Sequence, residues 1–206
     1  MPSLLTSFDL IGTFVFALSG ALLAARRQFD VVGVVMLSLA AGLGGGTIRD
    51  VLIDDLPPAS IESEKYLLAV LAAAAAGFFL PGQIERVNHS VRLLDALGLG
   101  FFAVAGTQKA VDAGLGPISA VLIGVIAAAG GGVIRDLLAS TTPLLLHQEI
   151  YALAALLGSL TFLMLTEAGL PNAPAAALGV IGTFALRAIA IRYQLHAPRP
   201  RGQSSK

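Results

Sequence analysis

Two stretches of the sequence place an arginine and an aspartate beside three consecutive glycines. Residues 44–50 read Gly-Gly-Gly-Thr-Ile-Arg-Asp, and residues 130–136 read Gly-Gly-Gly-Val-Ile-Arg-Asp. Both stretches lie in long apolar segments. Charged side chains inside a membrane are rare, pair with a partner and usually line an interior or water-filled path. The chemistry indicated is the handling of charge within a bilayer.

Each motif has an aspartate earlier in the chain that could neutralise its arginine. Asp9 lies about a turn and a half into the first apolar segment, and Arg49 lies slightly more than a turn before the end of the second. The two should therefore sit at similar depth, so we predict Asp9–Arg49 and Asp95–Arg135 ion pairs that brace or gate the two ends of a pathway. Neighbours at i and i+1 do not face each other on a helix, so no Arg49–Asp50 pair is expected. The alternative is interfacial arginines that reach the lipid headgroups.

The glycine triplets allow two interpretations. Each glycine costs a helix about 1 kcal/mol relative to alanine. One interpretation is that the helices are broken there and expose backbone groups to a polar cavity. The other is close packing, because small residues let helix backbones approach. The first is the prediction, and it makes both triplets, with Arg49, Asp50, Arg135 and Asp136, pore or gating residues. The residues of the two triplets are Gly44, Gly45, Gly46, Gly130, Gly131 and Gly132.

The two motifs belong to a longer internal repeat at an offset of 86 residues (130 − 44 = 86). The same gap-free register pairs Asp9 with Asp95, Gly12 with Gly98, Phe16-Ala17 with Phe102-Ala103, Gly20 with Gly106, and Pro57 with Pro143. Chance matches in an Ala- and Gly-rich chain would not readily place the aspartates, the Arg-Asp pairs and the prolines in one register. The sequence therefore predicts a duplication.

The composition indicates what must carry these residues. Of the 206 residues, 56% are hydrophobic and 13% are charged, and the mean hydropathy is +0.83. Soluble domains carry about 25% charged residues, so a soluble enzyme, a nucleic-acid binder and a disordered chain are excluded. A spanning helix needs about 20 mostly apolar residues. Seven candidate spans follow: 4–25, 31–53, 66–80, 93–111, 118–139, 150–166 and 175–191.

Seven spans and a three-span repeat predict an all-α integral membrane protein of two inverted three-helix repeats plus a seventh helix. We expect one membrane domain over 1–192, with repeat one at 4–80, repeat two at 90–166, the seventh helix at 174–192, and a disordered cytoplasmic tail at 193–206. Inverted repeats are typical of transport proteins with a site at the repeat interface. One set of loops holds only Lys65 and Lys109, so the N-terminus is placed outside the inner (plasma) membrane. The opposite set, placed in the cytoplasm, holds Arg26, Arg27, Arg86, Arg92, Arg192, Arg199, Arg201 and Lys206.

The remaining polar residues do not indicate a catalytic or metal-binding site. There is no cysteine, no phosphate-binding loop and no nucleophile signature, and the three histidines (His89, His147 and His196) are too far apart for a metal motif. No catalytic residue, metal or resident cofactor is therefore predicted. Lys109 and Arg187 lie near span ends and are expected to reach the headgroups. Five hydroxyl side chains either line a polar path or bond their own helix carbonyls: Thr13, Ser19, Ser38, Thr47 and Thr107.

The doubled Gly-Gly-Gly-x-Ile-Arg-Asp motif, one copy per three-span repeat, with a seventh span, resembles the bacterial branch of the trimeric intracellular cation channel (TRIC) family. Bacterial relatives often bear the label "glycine transporter domain". The resemblance covers about residues 6–192. It implies a homotrimer in the lipid bilayer, with a potassium-permeable pore in each subunit that runs between the repeats. The motif positions named above map onto the region around that pore.

Three functions remain open at this point. The resemblance favours a passive potassium channel with no nucleic-acid partner. Animal members carry a basic lipid-binding motif without a clear counterpart here, so phosphoinositide regulation is not expected. A carrier for glycine or another small zwitterion is the alternative, since broken-helix termini can hold a carboxylate and an ammonium. A structural or signalling membrane protein ranks last, because it does not require paired intramembrane charges.

Overall fold

All regular secondary structure in the described part of the chain is helical. The computed structural model describes residues 4–79, 87–147 and 150–195. The helices within these ranges are α1 (Leu4–Arg26), α2 (Val31–Leu52), α3 (Ala59–Glu62), α4 (Glu64–Phe79), α5 (Val87–Asp112), α6 (Pro117–Leu138), α7 (Leu144–His147), α8 (Tyr151–Glu167) and α9 (Asn172–Tyr193).

Each predicted span has a counterpart among these helices, and two short helices were not predicted. Within the described residues, α1, α2, α5, α6 and α9 are long and apolar enough to cross a bilayer. The helices α4 and α8 have 16 and 17 residues and are shorter than a typical span. The predicted end of the third span at Leu80 lies outside the described residues, as do Arg86 and the predicted tail from residue 196 onward. The chain is therefore a multi-pass helical membrane protein.

The helix boundaries follow local rules. At the start of α2 the Asp30 carboxylate accepts a hydrogen bond of 2.8 Å from the backbone N–H of Gly33, which satisfies one of the unpaired donors of the first turn. Pro117 begins α6, where a missing N–H has no cost. Gly114, just beyond α5, has a φ of 83°, a left-handed conformation that closes many helices.

The two helices α1 and α5 lie antiparallel at the centre of the molecule. The early part of α1 lies beside the end of α5, because Asp9 and Lys109 bind adjacent residues of α2. The later part of α1 lies beside the start of α5, because Ser19 and Asp95 bind the same Arg135 nitrogen. Around this pair, α2 packs on α1 and α6 on α5, while α4 covers α1, and α8 and α9 cover α5.

The prediction that α2 and α6 are broken at the glycine triplets is wrong for this structure. Both helices run without interruption through Gly44–Gly46 and Gly130–Gly132. Instead, the two helices cross at the triplets. A Cβ added to Gly45 would overlap the carbonyl oxygen of Ala127, and one added to Gly131 would overlap that of Ala41. These two contacts are reciprocal at an offset of 86 residues (41 to 127 and 45 to 131). Close packing, the alternative interpretation, therefore explains the second glycine of each triplet.

Candidate functional site

A first charged cluster forms where α1, α2 and α4 meet. Arg49 donates from Nη1 to Asp9 Oδ1 at 2.7 Å and from Nη2 to Asp9 Oδ2 at 2.8 Å. Both side chains are buried. Paired parallel hydrogen bonds between a guanidinium and a carboxylate are the strongest geometry for this kind of ion pair. The predicted Asp9–Arg49 pair is confirmed.

Asp50 completes the first cluster, contrary to the prediction that it would not bind Arg49. Arg49 Nε lies 2.8 Å from Asp50 Oδ1. The guanidinium offers five N–H donors on a long side chain, so its outer edge binds Asp9 while Nε turns back to the adjacent carboxylate. The i, i+1 argument applies to short side chains and underestimated the reach of arginine.

Lys109 also belongs to the first cluster and does not extend away from it to the headgroups. Its ammonium lies 2.7 Å from Asp50 Oδ1 and 2.6 Å from Asp55 Oδ2. The Lys109 side chain is 17% exposed and that of Asp55 is 55% exposed. Lys109 therefore joins the end of α5 to the end of α2, and connects the buried ion pair to the protein surface. Its prediction as a headgroup-reaching residue is wrong because two carboxylates lie within closer reach.

A small cavity opens beside the Asp9–Arg49 pair. Its walls include Thr13, Gly46, Tyr66 and Phe102, and its volume is about 10 Å³, which is room for about one water molecule. Tyr66, near the start of α4, donates from its hydroxyl to Asp9 Oδ2 at 3.2 Å. The lining combines polar groups with aromatic rings, and in this conformation the space admits a guest no larger than water.

A second charged cluster repeats the first at the other end of α1. Arg135 donates from Nη1 to Asp95 Oδ1 at 2.9 Å and to Ser19 Oγ at 2.8 Å. Arg135 Nη2 lies 2.8 Å from Asp136 Oδ1. The predicted Asp95–Arg135 pair is confirmed, and Asp136, like Asp50, binds the arginine that precedes it. The asymmetry is that Asp95 contacts a single guanidinium nitrogen, whereas Asp9 binds two.

The Asp of each motif also holds the short helix that follows. Asp50 Oδ2 accepts a hydrogen bond of 3.0 Å from Ala59 N, at the start of α3, and Asp136 Oδ2 accepts one of 3.0 Å from Leu144 N, at the start of α7. Each donor directly follows a proline, Pro58 or Pro143. The structural counterpart of Pro143 is therefore Pro58, an offset of 85 residues, and the predicted pairing with Pro57 is wrong by one position.

A tyrosine accompanies each cluster at the same shifted offset (151 − 66 = 85). Tyr151, the first residue of α8, lies beside Asp95: a Cβ added to Gly132 would be 2.9 Å from Tyr151 Oη and 3.1 Å from Asp95 Oδ1. Neither tyrosine was predicted to take part. The chain has only three tyrosines, and two of them lie at or near the start of equivalent helices, α4 and α8. This match could have been found from the sequence, but the gap-free offset of 86 residues does not pair them.

Arg187 adds a cation to the second cluster, so its prediction as a headgroup-reaching residue is also wrong. Its side chain is 0% exposed, and its guanidinium carbon lies 4.9 Å from the centroid of the Tyr151 ring. It continues a buried stripe on α9 formed by Ala176, Val180 and Thr183. Residues that recur every three or four positions lie on one face of a helix, so Arg187 lies on the same inward-facing side of α9 as this stripe.

The two clusters are separated by an apolar layer. Asp9 and Ser19 are ten residues apart on α1, so at a rise of 1.5 Å per residue they lie about 15 Å apart along the helix axis. Between them, the rings of Phe16 and Phe102 have centroids 5.6 Å apart. This ring pair packs beside the α2–α6 crossing, because a Cβ added to Gly46 would lie 3.3 Å from the Phe102 ring.

Most of the hydroxyl side chains follow the backbone-bonding alternative. Ser19, Ser38 and Thr107 donate to the carbonyls of Phe16, Val34 and Ala103 in their own helices. Thr47 instead exchanges a hydrogen bond of 2.9 Å with Ser60 of α3. Ser19 serves both interpretations, because its oxygen also accepts from Arg135. Thr13 lies in the wall of the cavity.

Replacing Lys109 with methionine tests the link between the first cluster and the surface. We expect a small loss of thermal stability, equivalent to about 1 kcal/mol or less, because partly exposed ion pairs contribute little. The loss should shrink as salt rises from about 0.01 M to about 1 M, since salt screens exposed charges. Thermal unfolding in detergent at both salt concentrations measures it, with Lys65→Met, at an exposed position of α4, as the control. A loss that does not depend on salt would contradict the assignment.

Comparisons with known proteins agree with this geometry. The family described as "Glycine transporter" matches residues 6–81 and 92–167. The chain is 37% identical over 192 residues to the UPF0126 inner membrane protein YadS of Escherichia coli strain K12, with 92% of this chain and 93% of that protein covered. It is 40% identical over 153 residues to a UPF0126 membrane protein of Deinococcus radiodurans, covering 73% of this chain and 71% of that protein.

Two solved structures share the fold. The TRIC trimeric intracellular cation channel orthologue from Rhodobacter sphaeroides has a TM-score of 0.90 and 37% identity, and the alignment covers 94% of this chain and all of that one. A prokaryotic TRIC channel in 0.5 M KCl has a TM-score of 0.88 and 33% identity, over 96% of this chain and all of that one. These neighbours are channels and not enzymes. The chain belongs to the bacterial branch of the TRIC family, the family also described as "Glycine transporter".

Proposed function

We propose that the protein is a channel for monovalent cations, chiefly potassium, which move passively down their gradient. The similarity to the TRIC cation channels over almost the whole chain carries this proposal. The two charged clusters support it, because ionisable groups in an apolar, membrane-spanning setting usually mark a pathway for ions or substrates. The permeant ion is the sole ion invoked, and no resident cofactor is proposed.

We further propose seven spans, with α4 and α8 as the third and sixth. The two halves would then have inverted topology, with the N-terminus outside and the C-terminus in the cytoplasm. The antiparallel arrangement of α1 and α5 supports this, since an inverted repeat requires their equivalent ends to point in opposite directions. The single membrane domain over 1–192 remains part of the proposal. Its predicted limit falls one residue before the end of α9 at Tyr193.

The pathway is proposed to run between the two halves, through the first cluster, past the Phe16–Phe102 pair and through the second cluster. In the present conformation Arg49 and Arg135 occupy the polar ends, and the carboxylates of Asp50 and Asp136 are engaged by arginine and backbone donors. Conduction would require each arginine to move aside while its aspartates remain to attract the cation. The third glycine of each triplet leaves room beside the arginine: a Cβ on Gly46 would lie 3.8 Å from Arg49 Nη2.

Single-channel recording tests the proposal. The purified protein is reconstituted in a planar bilayer with a potassium chloride gradient, and we expect unitary current steps whose reversal potential follows the potassium equilibrium potential. Replacing potassium by a large organic cation should abolish the steps. Steady currents that reverse at the chloride potential, or no steps from protein that is folded and inserted, would contradict a cation channel.

The homotrimer is a separate part of the proposal and has its own test. The name of the Rhodobacter sphaeroides orthologue describes a trimeric channel, and a pore within each subunit does not require the trimer for permeation. Light scattering of the detergent-solubilised protein should give three times the mass of the chain, which is 21.1 kDa. If the protein is a monomer that still conducts, the proposed pore within each subunit stands and the proposed trimer is rejected.

A carrier for glycine is the second candidate, because the matching family is described as "Glycine transporter". A carrier binds its substrate and exposes it alternately to the two sides. Proteoliposomes preloaded with unlabelled glycine should then accumulate labelled glycine by counterflow, with a rate that saturates. A channel predicts no counterflow, so this measurement distinguishes the two functions.

A further inference from the structure

The two charged clusters are equivalent by repeat but differ in the origin of their second cation. In the first cluster that cation is Lys109 of α5, which lies within the repeated region and is partly exposed. In the second it is Arg187 of α9, which lies outside the duplication and is fully buried. Arg49, Arg135 and Arg187 are among the largest fully buried side chains of the described residues. Two of these arginines are repeat counterparts, and Arg187 is an addition to the repeat plan.

The contacts of α9 place Arg187 firmly in the second cluster. One turn earlier on α9, Thr183 donates to the carbonyl of Ala154 in α8 at 3.2 Å. Arg187 then lies over the ring of Tyr151, with 4.9 Å between the guanidinium carbon and the ring centroid. A guanidinium at this distance from an aromatic face is attracted to it, more strongly when water is excluded.

Tyr151 connects Arg187 to the ion pair. Its hydroxyl and Asp95 Oδ1 both lie close to Gly132, the third glycine of the second triplet. Arg187 therefore contacts the ring whose hydroxyl lies beside the carboxylate that binds Arg135. Asp95 holds Arg135 through one nitrogen only, and Arg187 balances the charge of the second cluster, because Arg135 alone faces two carboxylates, Asp95 and Asp136.

The burial of the two added cations has unequal consequences. The Lys109 ammonium is close to water and can leave Asp50 by extending outward along its flexible chain. The Arg187 guanidinium has no such exit, because moving it means separating α9 from α8 or carrying a charge through apolar surroundings. The second cluster should therefore open less readily than the first.

We propose that Arg187 is a positioning residue by which the seventh helix holds the second charged cluster closed. The two ends of the pathway are then unequal: the first exchanges readily with the aqueous phase, and the second sets the barrier. This role of Arg187 rests on the proposed channel function, because the two clusters are the ends of a pathway only if the protein conducts ions. The inequality itself is a property of the structure that can be measured without ion flux.

The absence of cysteine from the chain makes that measurement direct. Single cysteines are introduced as Thr13→Cys, in the wall of the first cavity, and Ser19→Cys, which replaces the hydroxyl bound to Arg135. A small cationic methanethiosulfonate reagent is applied to the reconstituted protein, and the rate of modification is followed by mass spectrometry. We expect the cysteine at position 13 to react at least about tenfold faster than the cysteine at position 19.

Replacing Arg187 with glutamine should remove most of this difference. We expect the cysteine at position 19 to react about tenfold faster in that background, while the rate at position 13 stays unchanged. Arg192→Gln is the matched control, because Arg192 lies on the same helix at an exposed position. If Arg187→Gln does not fold, Arg187→Lys keeps the charge but loses the planar stacking, and an intermediate rate at position 19 is expected.

Two results would overturn the proposal. One is equal reactivity at positions 13 and 19 in the protein with native Arg187. The other is an unchanged rate at position 19 in a folded Arg187 variant. Because neither result depends on conduction, a failed channel recording with these accessibility differences intact would reject the proposed function and retain the role of Arg187.

Discussion

We expect the replacement of Arg49 with glutamine to raise the cation conductance of the reconstituted protein tenfold or more, equivalent to a shift of about 1.4 kcal/mol or more in the closed–open equilibrium. Arg49 occupies the space between Asp9 and Asp50 and neutralises both carboxylates. Glutamine is shorter and uncharged, so it removes both the barrier to cations and the attraction that keeps the carboxylates engaged. The cavity then offers the carboxylate of Asp9 to a cation without a neutralising arginine, while Asp50 stays paired with Lys109. Open probability and unitary current in planar bilayers measure the effect.

The control for this substitution is Arg26→Gln, at the exposed end of α1. It removes the same charge without touching either cluster and should leave the currents unchanged. Arg135→Gln should act in the same direction as Arg49→Gln, because Arg135 binds Asp95 and Asp136 in the same way. Unchanged conductance and open probability in both arginine variants would reject a gating role for the clusters.

The closed–open equilibrium should also respond to voltage if the arginines move. Carrying one elementary charge across the whole membrane field corresponds to about 2.3 kcal/mol per 100 mV. The clusters are separated by about 15 Å along α1, so a displacement within one cluster crosses only part of the field. The voltage dependence of the native protein should therefore be shallow and should weaken further in Arg49→Gln.

A single methyl group at Gly45 should strongly destabilise the close crossing of α2 and α6. In Gly45→Ala the new Cβ meets the backbone carbonyl of Ala127, which cannot turn aside as a side chain can. The α2–α6 crossing would have to widen, and overpacking of this kind costs about 1–3 kcal/mol, occasionally more. Gly131→Ala should have the same effect through the carbonyl of Ala41. We expect a large fall in the thermal midpoint of the protein in detergent, with loss of a monodisperse species.

Gly182→Ala is the matched control, since a Cβ at that position of α9 meets nothing within 4 Å in the chain. It lies within a helix, where alanine is favoured over glycine by about 1 kcal/mol. Its thermal midpoint should therefore stay the same or rise. If Gly45→Ala is as stable as Gly182→Ala, the triplets do not serve the close crossing of α2 and α6.

Some features of the site were predictable because they depend on position along a helix and on charge. The depth of Asp9 in the first span and of Arg49 in the second was sufficient to pair them, and the repeat extended the result to Asp95 and Arg135. Both pairs are present. The prediction succeeded because charged side chains within a membrane usually pair with a partner at similar depth.

Other features depended on side-chain reach and on which helices become neighbours. Lys109 and Arg187 were assigned to the headgroups from their distance to a span end, but both turn inward, toward Asp50 and Tyr151 respectively. Long flexible side chains can satisfy their charge in either direction. The choice depends on whether a carboxylate or an aromatic ring from another helix lies within reach, and that is a tertiary contact.

The sequence by itself determined the membrane class, the long helices and the two arginine–aspartate pairs, and it predicted an internal repeat, because hydropathy, periodicity and charge depth are local or pairwise properties. Only the tertiary structure decided that the glycine triplets join α2 to α6 without interrupting either helix. It alone placed Tyr66, Tyr151, Lys109 and Arg187 at the clusters. Because glycine has no side chain, it makes a helix easier to break and also lets another helix approach closely. Which of these two effects applies depends on the element that packs against the glycine.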